Sequence, residues 1–307
     1  ALAPGGMQLA LASGLYSSHV LIPPTPGPMA AAGNLGLAEH LGWVIVFGLI
    51  AVIPALFVAW WMSGKYKGTG ISAETIVIPE PAANSGGSLL RAFIPLLLPL
   101  LLIAAGSILP AYTANSNTRD FLLLIGHPVF ALFISSMLAI YLTGLSRRKE
   151  WMGWINHSLL QSGPIILITT AGGAFGAILK ATSLQQLMEE FVRNQQISIL
   201  VIFPFAFALA ALLKSAQGSS TAALIISSAM LFPLLEPFQL TIPQTALVLL
   251  SIGGGAMTVS HANDSYFWVI HQYARIPVHE LFRHYSITTG LMGFAVLLTS
   301  MLLYLLL

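Results

Sequence analysis

The sequence contains no cysteine, which excludes disulfides, thiolate metal sites and cysteine nucleophiles. Charge is also scarce. The 307 residues carry twelve Lys or Arg and ten Asp or Glu, 7% of the chain, where a soluble domain usually carries about a quarter. A net charge of +2 is too small to suggest a nucleic-acid partner. The opening Ala1-Leu2-Ala3-Pro4 has neither a basic n-region nor a cleavage site, so no signal peptide is expected, and it reads like the middle of a longer chain. What the sequence has in abundance is apolar surface: 56% hydrophobic residues and a mean hydropathy of +0.85. Such a composition excludes disorder, which needs high charge and low hydrophobicity. An all-α polytopic membrane protein, with the lipid bilayer as its solvent, is the class that remains.

Apolar runs long enough to cross ~30 Å of hydrocarbon lie at Leu41–Met62, Leu89–Leu109, Phe121–Leu145 and Ser286–Leu307. Polar connections separate them, the longest from Ser63 to Ser88. Lys65, Lys67 and Arg91 mark one connection and Arg147, Arg148 and Lys149 another. Two spans separate these clusters, so both face one side, which the positive-inside rule makes the cytoplasm. Leu41–Met62 then runs inward and the last span, preceded by Arg275 and Arg283, runs outward. Trp43, Trp60, Trp61, Trp151 and Trp154 fall near span ends, where an aromatic belt accounts for them.

The middle of the chain reads differently. Ile197–Leu213, Ala222–Leu235 and Gln244–Val259 are short apolar runs flanked by polar, Gly-containing segments. Those segments are Lys214-Ser215-Ala216-Gln217-Gly218-Ser219-Ser220-Thr221 and Ser260-His261-Ala262-Asn263-Asp264-Ser265. A further interruption is expected at Ala171–Gly176. Non-helical backbone at membrane depth is tolerated only where protein or a water-filled cavity satisfies it. Broken helices and re-entrant hairpins of this kind build the sites of secondary transporters. A weak internal repeat fits that architecture. Ser18-His19 precedes the Pro23–Pro28 break and the Leu41–Met62 span, and Ser260-His261 likewise precedes a polar break and the final span. Opposite directions of the two spans make this an inverted repeat. The chain is divided accordingly: 1–62 as the end of a first repeat, 63–156 as a connection with its spans, and 157–307 as a second repeat.

Three charges fall outside connections and span ends: Lys214, Glu236 and Asp264. A charge in a membrane interior costs at least ~2.5–3.5 kcal/mol, so each needs a reason. Glu236, between Pro233 and Pro237, reads as an interfacial helix end. Gly218, Ser219, Ser220 and Thr221 stand ahead of an apolar half-helix. Its N-terminus offers unpaired N–H groups and partial positive charge to a carboxylate, while the hydroxyls reach substrate or simply cap the helix. Lys214, one turn earlier, either attracts an anionic substrate or snorkels to the interface. Removing a carboxyl from water favours its protonated form, which makes Asp264 the candidate for proton coupling, with His261 sharing the task. Two alternatives stay open: an Asx turn in which Asn263 and Asp264 cap the next segment, and a Na⁺ site built from Asp, Asn and backbone carbonyls. Gly253-Gly254-Gly255 reads as a close-packing position between helices.

In order, Pro23-Pro24-Thr25-Pro26-Gly27-Pro28, Gly163-Pro164-Ile165 to Gly172-Gly173-Ala174-Phe175-Gly176, Ala216 to Thr221, and Ser260 to Trp268 resemble the gluconate permease family. The family's members are proton-coupled importers of gluconate and related small hydroxy acids, with D-serine carriers among them. The first motif departs from the family's Pro-Pro-His-Pro-Gly-Pro at Thr25. The resemblance implies an ion-transporter-type fold in a bacterial cytoplasmic membrane and an N-terminally truncated chain. It implies substrate recognition by Gly218 to Thr221 with Asn263 and Lys214, and a facing wall that includes His19 and Thr25. The coupling ion it implies is a proton, carried at Asp264 and His261; no other cofactor is implied, and homodimerisation is expected from the family's wider relatives. Two enzyme patterns compete weakly. Ser219 and His261 imitate a Ser–His dyad without an identifiable oxyanion hole. His279 and His284 are five residues apart, about 140° around a helix, and cannot share a zinc.

Overall fold

The computed structural model describes residues 2–68, 89–113, 115–143, 148–181, 190 and 198–307. All regular structure among them is helical. The chain order is α1 (Pro4–Leu21), α2 (Pro26–Asn34), α3 (Leu41–Ser63), α4 (Leu89–Ile108), α5 (Ser116–Gly126), α6 (Pro128–Thr143), α7 (Arg148–Ala181), α8 (Ile202–Gln217), α9 (Ser220–Leu235), α10 (Ile242–Met257), α11 (Ser265–Ala274), α12 (Val278–Leu281) and α13 (Ile287–Leu306). Four stretches among the described residues are long and apolar enough to cross a membrane: Ala38–Ser63, Ile199–Gln217, Ser220–Phe238 and Val278–Leu306.

Local chemistry explains where helices start and stop. Proline opens α1 and α2, where the missing N–H has no helical partner to lose. Thr241 and Gln244 form a capping box at the start of α10. Gly218 ends α8 in the left-handed conformation, with φ +80°. Side chains of Ser219 and Asp264 then cap α9 and α11.

Two expectations are corrected. Phe121–Leu145 is not one straight span: α5 and α6 meet at His127 with a bend of 65°. Pro128 cannot donate a backbone hydrogen bond into a continuing helix, and Gly126 lies against Gly106 of α4 so closely that no side chain fits at either. Conversely, α7 runs through Ala171–Gly176 without interruption. Glycine lowers helix propensity by only about 1 kcal/mol, and packing of α7 on α9 supplies tertiary support. Of the Ser63–Ser88 connection, 69–88 lies outside the described residues, as does Arg147.

Contacts fix the directions. Gly48 of α3 lies against Leu21, Gly14 against Leu56 and Gly6 against Ser63, so α1 and α3 are antiparallel. Gly254 meets Gly293 and Val296 while Ser260 meets Thr289, so α10 and α13 are antiparallel too. Gly253 touches Leu21 and Tyr266 bonds to Ala12, so α10 and α11 run opposite to α1. The spans α3 and α13 therefore run in opposite directions, in line with the basic-residue pattern, and Tyr66 beyond α3 packs on His284 ahead of α13. Between these units stands a hairpin. Ser251 donates to the Phe203 carbonyl oxygen and Gly255 approaches that of Phe207, so α8 runs alongside α10. Leu224 packs near Leu249 and Leu250, and Phe232 near Thr245, so α9 runs back the other way. One apolar core joins α1, α2, α3, α8, α9, α10 and α13. The Gly253–Gly255 run sits at its closest helix contacts, as the sequence suggests.

Candidate functional site

The hairpin tip between α8 and α9 meets two helix breaks, one between α1 and α2 and one between α10 and α11. Gly218 at the tip has space only because it lacks a side chain: a Cβ there would overlap the Asn263 carbonyl oxygen. The Asn263 amide also donates to the Ser215 carbonyl at 2.7 Å. On the other flank, Gly27 at the start of α2 lies against Thr221 and Leu224, and Asn34 at its end donates to Ile225 and Ser228 of α9. The Tyr16 hydroxyl hydrogen-bonds Ser220 Oγ at 2.6 Å, and its ring stacks on Tyr266 with centroids 5.6 Å apart.

Behind the tip lies a buried ion pair. Lys214 Nζ donates to Asp264 Oδ2 and to the Gly218 carbonyl oxygen, each at 2.6 Å. Both residues are buried, Lys214 completely. The same carboxylate accepts from Ser260 Oγ at Oδ2 and from the Tyr266 N–H at Oδ1. Ser260 is held in turn by Ser286 and Thr289, whose hydroxyls engage its carbonyl and its N–H. A buried pair needs such extra partners, because burying two charges otherwise costs more than their attraction returns. Asp264 thus combines the helix cap of the Asx-turn alternative with a full ion pair.

In front of the tip is a cavity of about 520 Å³. It brings together the cap and first residues of α9 (Ser219, then Ser220 and Thr221), those of α11 (Asp264, then Ser265 and Tyr266), and Leu15, Tyr16 and His19 of α1, with Gln217, Gly218 and Asn263 between them. Seven of the expected substrate or coupling residues therefore share one wall or the other. Three do not line it. Lys214 has its ammonium turned to Asp264. Thr25 sits at the N-cap of α2, its hydroxyl donating to the Ile22 carbonyl. His261 stands at the start of the α10–α11 break, its carbonyl accepting from the Asp264 N–H. Sequence reasoning missed Tyr16, Tyr266 and Ser260. Tyr266 and Ser260 lie within the Ser260–Trp268 motif, which was the signal that could have found them, whereas Tyr16 carried none beyond its closeness to Ser18-His19. Further along α9 the packing closes: Leu21, Leu224, Leu249, Leu250 and Gly253 leave about 10 Å³ between them. Beyond it a second cavity of about 430 Å³ opens beside Phe232, Gln239 and Thr245.

Comparison with known proteins identifies the family. Residues 5–306 match the description GntP family permease. The chain belongs to the GntP permease family. Among the curated relatives, a gluconate permease of Pseudomonas aeruginosa is 31% identical over 291 residues, covering 90% of this chain and 62% of the relative. The D-serine transporter DsdX of Escherichia coli K12 is 28% identical, covering 97% of this chain and 67% of its own. A gluconate permease of Bacillus subtilis is 26% identical, covering 95% and 68%. The chain thus spans about two thirds of the length of these GntP permeases. No solved structure matches it. Family membership leaves the two enzyme patterns without support. Ser219 Oγ accepts from the Ala222 N–H, and no hydrogen bond joins Ser219 to His261.

Proposed function

We propose that this protein is a secondary carrier of the bacterial cytoplasmic membrane that imports gluconate or a related small hydroxy-monocarboxylate together with a proton. One observation carries the proposal: a single cavity is faced by the N-termini of two helices, α9 and α11, and ringed by hydroxyls. Helix N-termini present N–H donors and partial positive charge, which suit a carboxylate without a fixed counter-charge. Ser219, Ser220, Thr221, Ser265 and Tyr16 surround that position with groups that both donate and accept, matching a polyol chain. The apolar closure beyond the cavity and the second cavity behind it fit alternating access about a fixed site.

D-serine, the substrate named for one relative, is a less suitable ligand here. Its ammonium is held most strongly by a carboxylate, and the carboxylate lining the cavity, Asp264, is already engaged by Lys214 and Ser260. Uptake of labelled gluconate into proteoliposomes carrying the protein, with an inward acid gradient, is the test. Uptake that follows Na⁺ and ignores pH overturns the proton assignment. Uptake of D-serine with none of gluconate overturns the substrate class.

A further inference from the structure

The Lys214 ammonium has an unusual set of neighbours. Its two oxygen partners belong to different elements, the hairpin tip and the α10–α11 break, yet both stand 2.6 Å from Nζ. That spacing is that of a strong charge-assisted hydrogen bond. The Gly218 carbonyl is one of the unpaired acceptors at the C-terminal end of α8, where partial negative charge gathers. Asp264 supplies a full negative charge, Ser260 Oγ stands on the same carboxylate oxygen, and the Tyr16 ring lies 5.8 Å from Nζ. Carbonyls at unwound helix ends combined with a carboxylate are the means by which broken-helix carriers hold a coupling cation. A lysine serving only as a lure for anions needs no such enclosure and has to face the cavity, which Lys214 does not.

We propose that Lys214 is a tethered cation standing where Na⁺ would otherwise bind, so that the resting site takes no Na⁺ and the exchangeable proton is handled at the Lys214–Asp264 pair. The first half stands whatever the substrate is; the second rests on the carrier function proposed above. Proton uptake on the Asp264 carboxylate neutralises it and breaks the ion pair, leaving the ammonium on the Gly218 carbonyl. Return of the same proton to water restores the pair, so no other group gains or loses a proton. The titratable groups facing the pair are Tyr16 and His19 of α1, Tyr266 of α11 and Tyr285 ahead of α13. Of these His19 alone is of a type that titrates near neutrality.

Thermal unfolding of purified protein in detergent tests the first half without any substrate, comparing NaCl with choline chloride at equal ionic strength. Wild type shows no Na⁺-specific shift. Lys214→Ala opens the site and gains a saturable, Na⁺-specific rise in Tm of at least about 3 °C, lost again in Lys214→Ala/Asp264→Asn. A Na⁺-specific rise in wild type that disappears in Asp264→Asn, or a folded Lys214→Ala indifferent to Na⁺, overturns the proposal. Should Lys214→Ala fail to fold in choline, folding restored by Na⁺ supports it, and failure in both salts moves the test to Lys214→Ser under the same criteria. For the second half, gluconate-driven proton uptake in choline medium is seen in wild type and is lost in Lys214→Met/Asp264→Asn. Proton uptake that persists in the double variant overturns it. If gluconate moves no protons in wild type, the carrier function fails while the Na⁺ result still stands or falls alone.

Discussion

The backbone of Gly218 is pressed against the carbonyl of Asn263, so the hairpin tip and the α10–α11 break touch with no side chain between them. Gly218→Ala faces two penalties. The left-handed conformation costs a residue with a Cβ ~1–2 kcal/mol, and the new methyl group overlaps backbone, which cannot rotate away. We expect a lower melting temperature than any neighbouring Ser→Ala change produces, together with loss of uptake. A Gly218→Ala protein melting like wild type contradicts this contact.

Lys214 and Asp264 make a two-residue cycle possible. Asp264→Asn retains an acceptor for the Tyr266 N–H but strands a buried ammonium, at a cost of about 3–5 kcal/mol. Lys214→Met/Asp264→Asn removes both charges and regains most of that loss. Thermal melts of the four proteins give the coupling directly, and equal stability of Asp264→Asn and wild type is the outcome that refutes it.

Tyr16 offers a separable pair of interactions. Tyr16→Phe removes the hydroxyl bonded to Ser220 and leaves the stack on Tyr266 in place. One neutral hydrogen bond is worth about 0.5–1.5 kcal/mol, so loss of the bond to Ser220 lowers Tm slightly, while loss of a contact from the same hydroxyl to the proposed substrate raises KM for gluconate by roughly 2- to 12-fold. Tyr16→Ala loses the stack as well, raising KM further and lowering Tm. An unaltered KM in Tyr16→Phe takes this hydroxyl out of substrate recognition.

Thr25 and Ser219 are hydroxyl residues at helix starts, and only Ser219 lines the cavity. Ser219→Ala deletes the cap on the Ala222 N–H, costing ~0.5–2 kcal/mol, and raises KM. Thr25→Ala removes only the bond to the Ile22 carbonyl, so KM stays within about twofold of wild type. Kinetic uptake assays on the two variants check this, and a larger KM effect at Thr25 reverses the assignment.

Hydropathy made α3 and α13 legible in the sequence, because a span announces itself by length alone. The apolar part of α4, Phe93–Gly106, is too short to be among the spanning stretches, while Ile199–Gln217 and Ser220–Phe238, whose cores read as short runs, are long enough. The tip at Lys214–Thr221 and the break at Ser260–Ser265 were equally readable, since polar groups at such depth are too costly to stand there without a role. Other features lie beyond a one-dimensional pattern. Hydropathy averages across Gly126-His127-Pro128 and so hides the bend there, although Pro128 was a local signal. Glycines at Ala171–Gly176 look like a break until the neighbouring helix that supports them is known. Lys214 and Asp264 are 50 residues apart, so each looked like an isolated charge with a role of its own. Tyr16 and Tyr266 resemble ordinary apolar filling until the fold sets them face to face beside Ser220.

The closure between the two cavities has a further meaning for water. Holding one water takes about 10–15 Å³, and the space left among Leu21, Leu224, Leu249, Leu250 and Gly253 is about 10 Å³, walled by hydrocarbon. A file of hydrogen-bonded waters conducts protons, and this space, with room for about one water, offers no polar side chain to hold a file. Under the carrier function proposed above, the gradient would be held back here by a few leucine methyl groups rather than by any charged residue.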